Sequence, residues 1–195
     1  MFLMSKILQV SGKNKVLREI AKEVPLAEIG AEKINKVLAD MAEALFKTKD
    51  GVALAAPQIG LSLSIFIVKG EYVETSKEEE QDFKNIEDEN IEKKAEEKII
   101  KKEKKEFKPY FFINPQIIKI SKKKQTVREG CLSVSGIYGT MERAEKVTIQ
   151  AYNEKGEKFA RGASGLLAQI FQHEMDHLNG ALFIDTATDL EKIEK

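Results

Sequence analysis

The sequence predicts an α+β fold, in which antiparallel strands surround a central helix that carries both histidines, with one further helix near the N-terminus. Helical and extended patterns are grouped along the chain instead of alternating, which favours α+β over α/β. The chain has 195 residues, of which 42% are hydrophobic, and this suits one domain with a substantial core. We therefore expect residues 1–195 to form a single domain.

The first predicted helix covers residues 31–47. Apolar residues recur there at steps of three and four positions: Ile34, Val37, Leu38, Met41 and Leu45. We interpret this stripe as core packing. Residues 51–60 follow and are rich in small side chains, so we expect an irregular loop.

Four segments have the composition of strands: 64–68, 111–118, 146–152 and 158–161. The second is expected to be a strand pair or a bent strand, because Pro115 should interrupt the ladder or mark a sheet edge. Residues 153–156 supply a turn that joins the last two segments into a hairpin.

Residues 71–108 differ in composition from the rest of the chain. They contain 14 acidic residues and 10 lysines, with few apolar residues between them. Such a segment buries too little surface to offset its ordering entropy. We interpret it as an insertion in a hairpin between two strands, either partly disordered or a solvated helix. The alternative is a docking segment, with its lysine-rich end directed at an RNA-rich surface.

The second helix contains the most informative motif. We expect Ser164 to cap a helix from residue 165 to about 179, with Gly180 at the C′ position. Residues 173–177 read His-Glu-Met-Asp-His and include the only two histidines of the chain. Positions i and i+4 of a helix share one face, so both imidazoles can bind one ion. Glu174 then lies close enough to accept a proton from a bound water.

Two histidines do not complete a catalytic metal site, which usually has three protein ligands and one open position. Cys131, the single cysteine, is a candidate for the third ligand, and a buried inert cysteine is the alternative. The residues alone do not decide between them. Glu129 and Arg143 are expected either to pair as a brace for the cysteine loop or to be two ordinary surface charges.

Three segments together resemble the peptide deformylase family. Residues 51–60 read Gly-Val-Ala-Leu-Ala-Ala-Pro-Gln-Ile-Gly and are similar to the family's G-x-G-L-A-A-x-Q-x-G segment. Residues 129–133 match E-G-C-L-S, and residues 173–178 match H-E-x-D-H-L. Order and spacing agree over nearly the whole chain except the insertion. Ala53 replaces the second glycine of the first segment, a change that we expect to be tolerated because alanine is the smallest possible replacement. Tyr138 stands where well-known bacterial members have arginine, which would alter the peptide contacts beyond methionine.

The resemblance implies a metal-dependent hydrolase that removes the N-terminal formyl group from formyl-methionine of newly made polypeptides and releases formate. It implies one divalent ion, Fe²⁺ natively, replaceable by Zn²⁺, Ni²⁺ or Co²⁺, with Cys131, His173 and His177 as ligands. Glu174 would act as general base and then general acid, while the Gln58 amide and the Leu132 N–H would bind the developing oxyanion. The implied substrate-binding residues are Val52, Ala53, Gly130, Ile137, Tyr138 and Ile170.

Charge and composition limit which cellular location and which partners are expected. The formal net charge is zero, and no apolar stretch has membrane-spanning length, so we expect neither direct nucleic-acid readout nor a membrane. One cysteine and the lack of a secretory signal at the start favour a cytoplasmic enzyme. Nascent formyl-methionyl peptides are the expected partners, with the ribosome as a further candidate, and the protein is expected to be a monomer.

Two other functions compete with this interpretation. One is a catalytically retired deformylase-like binding module, docked at the ribosome through the insertion. The other is a zinc endopeptidase of the thermolysin type, which needs a third ligand downstream of the histidines. We expect the tail after Asp185 to be too short to fold back and supply that ligand.

Overall fold

A computed structural model describes residues 6–10, 14–74 and 108–193. In chain order its main elements are α1 (Glu32–Phe46), β1 (Ala53–Ala55), β2 (Ile65–Val68), β3 (Tyr110–Ile120), β4 (Lys124–Cys131), β5 (Val134–Ala144), β6 (Lys146–Tyr152), β7 (Lys158–Ser164), α2 (Gly165–Leu178) and β8 (Thr188–Lys192). The strands form a five-stranded sheet, β1-β2-β3-β6-β7, and a three-stranded sheet, β4-β5-β8. Neighbouring strands are antiparallel, which confirms the α+β class.

The five-stranded sheet is covered on both faces, and β2 shows why its sequence is continuously apolar. Successive side chains of a strand point to opposite faces. Ile65 and Ile67 pack with α1, whereas Phe66 and Val68 pack with α2. On the α2 side, the ring of Phe112 stacks on Phe66 at 4.6 Å between centroids and meets Phe171 edge-on at 5.0 Å. This aromatic cluster fixes α2 against the sheet.

A buried glutamine ties α2 to the second sheet. Gln172 accepts a hydrogen bond from the backbone N–H of Ala144 at 2.9 Å and donates one to the Ala144 carbonyl at 3.0 Å. Both backbone groups lie at the end of β5 and are thereby paired, as buried backbone groups must be. The central helix is therefore held by both sheets, and the face with the histidines lies between them.

Most of the predicted elements are confirmed. The helix predicted at 31–47 is α1, and the segments 64–68, 146–152 and 158–161 correspond to β2, β6 and β7. The bent strand at 111–118 is β3, whose register shifts between Ile113 and Gln116. At this shift Asn114 has a positive φ of 49°, and its side chain bonds both the N–H and the carbonyl of Val24. The expected interruption at Pro115 is thus confirmed.

Three local expectations were wrong. Residues 51–60 are not an irregular loop, because β1 pairs with β2 and a 3₁₀ turn, Ala56–Ile59, follows. Ser164 precedes α2, but its side chain makes no capping hydrogen bond within the described residues. The tail after Asp185 does fold back, as β8 beside β5. Long-range strand pairing, which local sequence does not display, explains the first and third differences.

The insertion lies between two paired strands, as expected, because β2 and β3 are antiparallel neighbours. Its first residues belong to the packed domain: residues 70–74 are helical, and Val73 is buried in the core beside α2. Residues 75–107 lie outside the described part, so the expectation of disorder or a solvated helix is not addressed. No helix among the described residues is long and apolar enough to cross a membrane.

Candidate metal centre and substrate pocket

A pocket of about 270 Å³ opens between the two sheets above α2. One wall comes from the segment around β1, the other from β4, β5 and their turn, and the floor from α2. The predicted catalytic and substrate residues line it: Val52, Ala53, Gln58, Gly130, Leu132, Ile137, Tyr138, Ile170 and Glu174. Cys131 and His173 lie at its inner end.

The three predicted metal ligands converge at this inner end. The sulfur of Cys131 and the nearest ring nitrogens of His173 and His177 all lie within 4.8 Å of one another. The distance from Cys131 Sγ to His177 Nε2 is 3.2 Å. The residues come from distant parts of the chain, since Cys131 ends β4 while the histidines are one helical turn apart on α2. One sulfur and two imidazoles form a donor set suited to zinc or ferrous iron.

A buried carboxylate orients the first histidine. Glu129, with 4% of its surface exposed, accepts a hydrogen bond from His173 Nδ1 at 2.9 Å. Its oxygens also accept from Nε and Nη2 of Arg143, at 2.8 and 2.9 Å, and Arg143 pairs further with Asp176. The predicted pairing of Glu129 with Arg143 is therefore confirmed, and the pair contacts His173. Since Nδ1 of His173 is occupied, Nε2 is the nitrogen left for an ion.

The electrostatics of this cluster favour a cation. Burial opposes ionisation of Glu129, but hydrogen bonds from His173 and Arg143 hold its pKa at about 2. Burial also disfavours a charged His173, yet hydrogen bonds with Cys131 and Glu129 keep the pKa of His173 well above its ordinary value. Burial lowers the pKa of His177, so its ring is neutral. The ionised Glu129 therefore places a negative charge behind the His173 ring, which fits a ring that binds a cation through its other nitrogen.

Glu174 lines the same pocket as Cys131 and His173 and is 3% exposed. Burial, reinforced by the negative charges of Glu129 and Asp176, raises the pKa of Glu174 to about 7, although His173 opposes the shift. Its Oε2 atom has no hydrogen-bond partner among the described residues. A buried carboxyl that exchanges its proton near neutral pH, with one oxygen free, suits a general base.

Gln58 is held with its amide nitrogen directed at the cysteine. Its carbonyl oxygen accepts from the Ala55 N–H at 2.8 Å, and its Nε2 lies 3.3 Å from Ser133 Oγ and 3.6 Å from Cys131 Sγ. Gln58 and Ser133 are both buried, at 2% and 0% exposure. The amide is therefore fixed at both ends, with N–H donors facing the site.

The departures from the family segments do not disturb the backbone. Ala53 lies in β1 and is not among the positions with positive φ, so it does not need the freedom of glycine. Gly130, however, is required, because a Cβ there would lie 2.6 Å from the ring of Tyr138. Gly130 and Tyr138 face each other in the β4–β5 register, and the Tyr138 ring occupies the space that a side chain at position 130 would need.

The sequence did not single out several residues at the pocket mouth. Asp50, Arg128, Ser135, Leu166 and Gln169 also line the pocket. Their positions depend on the register of β4 and β5 and on which face of α2 meets the sheets. The one sequence signal that could have indicated Arg128 is its position directly before the segment at residues 129–133.

Fold and site together define a metal-dependent hydrolase, in which a helix with two histidines and a strand with a cysteine place three donors beside a buried carboxyl. Known proteins agree: residues 4–193 match the family described as Polypeptide deformylase. Peptide deformylase 2 of Clostridium acetobutylicum is 34% identical over 92% of this chain and 93% of its own length. Peptide deformylase 1A, chloroplastic/mitochondrial, of Arabidopsis thaliana is 37% identical over 90% of this chain, which spans 59% of that relative's length.

Solved structures agree as well. The crystal structure of a peptide deformylase from Legionella pneumophila has a TM-score of 0.70 and 33% identity, and the match covers 95% of this chain and 87% of that chain. The chain therefore belongs to the polypeptide deformylase family. Its activity is that of a metal-dependent hydrolase that removes the N-terminal formyl group from nascent polypeptides.

Proposed function

We propose that this chain hydrolyses the formamide of formyl-methionyl peptides at a single divalent ion held by Cys131, His173 and His177, with Fe²⁺ as the native ion. The convergence of these three donor atoms within 4.8 Å is the observation that carries the proposal. When bound, such an ion supplies Lewis acidity and lowers the pKa of water toward about 7. The reaction consumes one water and yields formate and a free α-amine.

Glu174 would move the proton. Its raised pKa of about 7 allows it to accept a proton from water near neutral pH and to return it to the departing nitrogen. The return matters because an amide nitrogen leaves poorly without protonation. The free oxygen, Oε2, is available for both transfers.

Gln58 and the backbone N–H of Leu132 would stabilise the negative charge that grows on the formyl oxygen. Ala55 and Ser133 hold the Gln58 amide before substrate arrives, so the donor needs no reorganisation during the reaction. Losing one preplaced donor of this kind typically costs about 10²–10³ in rate. Val52, Ile137, Tyr138 and Ile170 would form the apolar surface for the methionine side chain.

Neither alternative function gains support from the site. Within the described residues Cys131, His173 and His177 are the cluster that suits a metal, and Asp185 and Glu191 pair with Arg18 and Arg128 instead. A thermolysin-type ligand set is therefore not formed. A retired binding module would not need Glu174 with an elevated pKa and an unpaired oxygen.

The substrates are proposed to be nascent chains in the cytoplasm, and the protein is proposed to act as a monomer of one catalytic domain. A role of the insertion in ribosome binding stays a prediction, since residues 75–107 lie outside the described part.

Formate release from formyl-Met-Ala-Ser by anaerobically purified, iron-loaded protein tests the proposal. We expect steady turnover, and we expect Glu174→Gln to lose at least about 10²-fold in kcat while binding the same amount of iron. Asp50→Asn, which changes an exposed carboxyl at the pocket mouth, is the matched control and should retain kcat within a few-fold. Iron-loaded protein without turnover would favour the binding module, and full activity of Glu174→Gln would remove Glu174 as the base.

A further inference from the structure

An arginine stands at the outer end of the pocket. Arg128 lies on β4, three positions before Cys131, and its side chain is 57% exposed. Strand residues advance about 3.3 Å each, so Arg128 is roughly 10 Å from the cysteine along the pocket wall. An extended peptide has the same rise. A peptide that begins at the metal centre and follows this wall therefore reaches Arg128 at about its third residue.

Contacts from two other strands hold the Arg128 side chain. Its guanidinium lies over the Tyr138 ring, 5.3 Å from the centroid, and Nη2 bonds Glu191 Oε2 at 2.7 Å. Tyr138 and Glu191 face each other in the β5–β8 register. Gln169, on α2, donates a hydrogen bond to the backbone carbonyl of Arg128 at 2.9 Å. These contacts direct the guanidinium toward Tyr138 and Glu191 at the outer end of the pocket.

Arg128 retains capacity for a second anion. A guanidinium has five N–H donors, and one exposed ion pair leaves several of them open. The pair with Glu191 is exposed on both sides, at 57% and 64%, so it is weak and easily shared. Among the described residues that line the pocket, Arg128 is the one with a permanent positive charge, whereas Asp50 is an exposed negative charge on the other wall.

We propose that Arg128 is a specificity residue that selects peptides with an acidic side chain at about the third position, and that Glu191 competes with that side chain for the guanidinium. This inference rests on the proposed function, because it concerns which formyl-methionyl peptides the same pocket processes. The tail strand β8 acts in this selection by carrying the competing carboxylate.

The test compares kcat/KM for formyl-Met-Ala-Xaa-Ala-amide with glutamate, glutamine or lysine as Xaa. We expect the kcat/KM of wild-type protein to be about threefold to tenfold higher for the glutamate peptide than for the lysine peptide. Arg128 attracts glutamate and repels lysine, and each exposed charge contact of this kind is weak. The preference should shrink in 0.5 M salt, because exposed charges are screened. Peptides that carry glutamate or lysine at the second position instead should show a smaller glutamate-to-lysine ratio of kcat/KM.

Three variants separate the assignment from a general charge effect. Arg128→Glu should invert the ratio toward lysine, and Glu191→Gln should increase the preference for glutamate by removing the competitor. Lys124→Glu, the same charge change four positions earlier on β4, should keep the wild-type ratio.

A wild-type ratio near one, a preference that survives in Arg128→Glu, or a decrease in Glu191→Gln would each overturn the assignment. In each of these outcomes the protein still deformylates the glutamine peptide. Failure of the proposed function is distinguishable, because then none of the three peptides is deformylated.

Discussion

Glu129 illustrates how single residues stabilise this site. A buried carboxylate is tolerated when charged hydrogen-bond partners replace the lost water, and Arg143 and His173 supply three such bonds. Removing one partner of a buried pair leaves the others uncompensated, which typically costs about 3–5 kcal/mol. Glu129 therefore links stability and the predicted metal site, because the same carboxylate orients the ring of a predicted ligand.

The depressed pKa of Glu129 makes the stability of the fold pH-dependent. Its ordinary pKa is 4.5 and its pKa in the folded protein is about 2. The folded state therefore binds fewer protons than the unfolded state between these values, so this contribution is complete above about pH 4.5 and is lost as the pH falls toward 2. We expect Glu129→Gln to lower the free energy of unfolding at pH 7 by about 3 kcal/mol or more and to flatten its decline below pH 4.5.

Urea unfolding at a series of pH values measures this. Glu191→Gln is the matched control, because it removes an exposed carboxylate from another arginine and should change stability by less than about 1 kcal/mol. Equal losses in the two variants would show that burial of Glu129 does not matter.

At the scale of elements, α2 must be fixed at its C-terminal end, since His177 lies in its last turn. The Leu178 carbonyl accepts from the Ala21 N–H at 2.8 Å, so the segment before α1 is hydrogen-bonded to the end of α2. Gly180 allows this approach: its φ is +72°, and a Cβ there would lie 2.6 Å from the Arg18 carbonyl oxygen. The glycine thus both ends the helix and admits a neighbouring backbone.

Alanine at Gly180 should therefore be strongly destabilising. Gly165, at the start of α2, also has a positive φ, of +53°, but a Cβ added there would have no neighbouring atom within 4 Å among the described residues. Both substitutions cost about 1–3 kcal/mol for the left-handed conformation, and Gly180→Ala loses a further amount of about 1–3 kcal/mol through crowding. Thermal and urea unfolding should show that Gly180→Ala is less stable than Gly165→Ala. The reverse order would mean that the contact with Arg18 is unimportant.

For the whole molecule, the sequence predicts what depends on local patterns and misses what depends on long-range pairing. The stripe of α1, the apolar run of β2 and the motif of α2 are local, and each was found. β1 has only three residues, Ala-Leu-Ala, and β8 is exposed throughout without an apolar alternation, so neither has a strand signal of its own. The motifs located the three residues that converge as predicted metal ligands, whereas Arg128 became part of the pocket through the β4–β5 register.

Removing the insertion tests whether the catalytic domain functions without residues 75–107. The site residues predicted from the sequence all lie outside residues 75–107, and the neighbouring strands pair directly, with Val68 opposite Tyr110. Replacing residues 75–107 by a short Gly/Ser linker should keep kcat/KM on formyl-Met-Ala-Ser within about threefold, because Val73 and the pocket wall are preserved. Circular dichroism confirms folding of the shortened chain. A folded but inactive protein would show that the insertion contributes to the site.

The most direct test of the central claim is cobalt substitution of the metal centre, because a cobalt–thiolate bond has its own charge-transfer absorption. We expect wild-type protein to bind one Co²⁺ per chain with this absorption, and Glu174→Gln to do the same. Cys131→Ser should lose the absorption and bind Co²⁺ more weakly. One tightly bound Co²⁺ without thiolate absorption in the wild-type protein, or an unchanged spectrum in Cys131→Ser, would contradict the account.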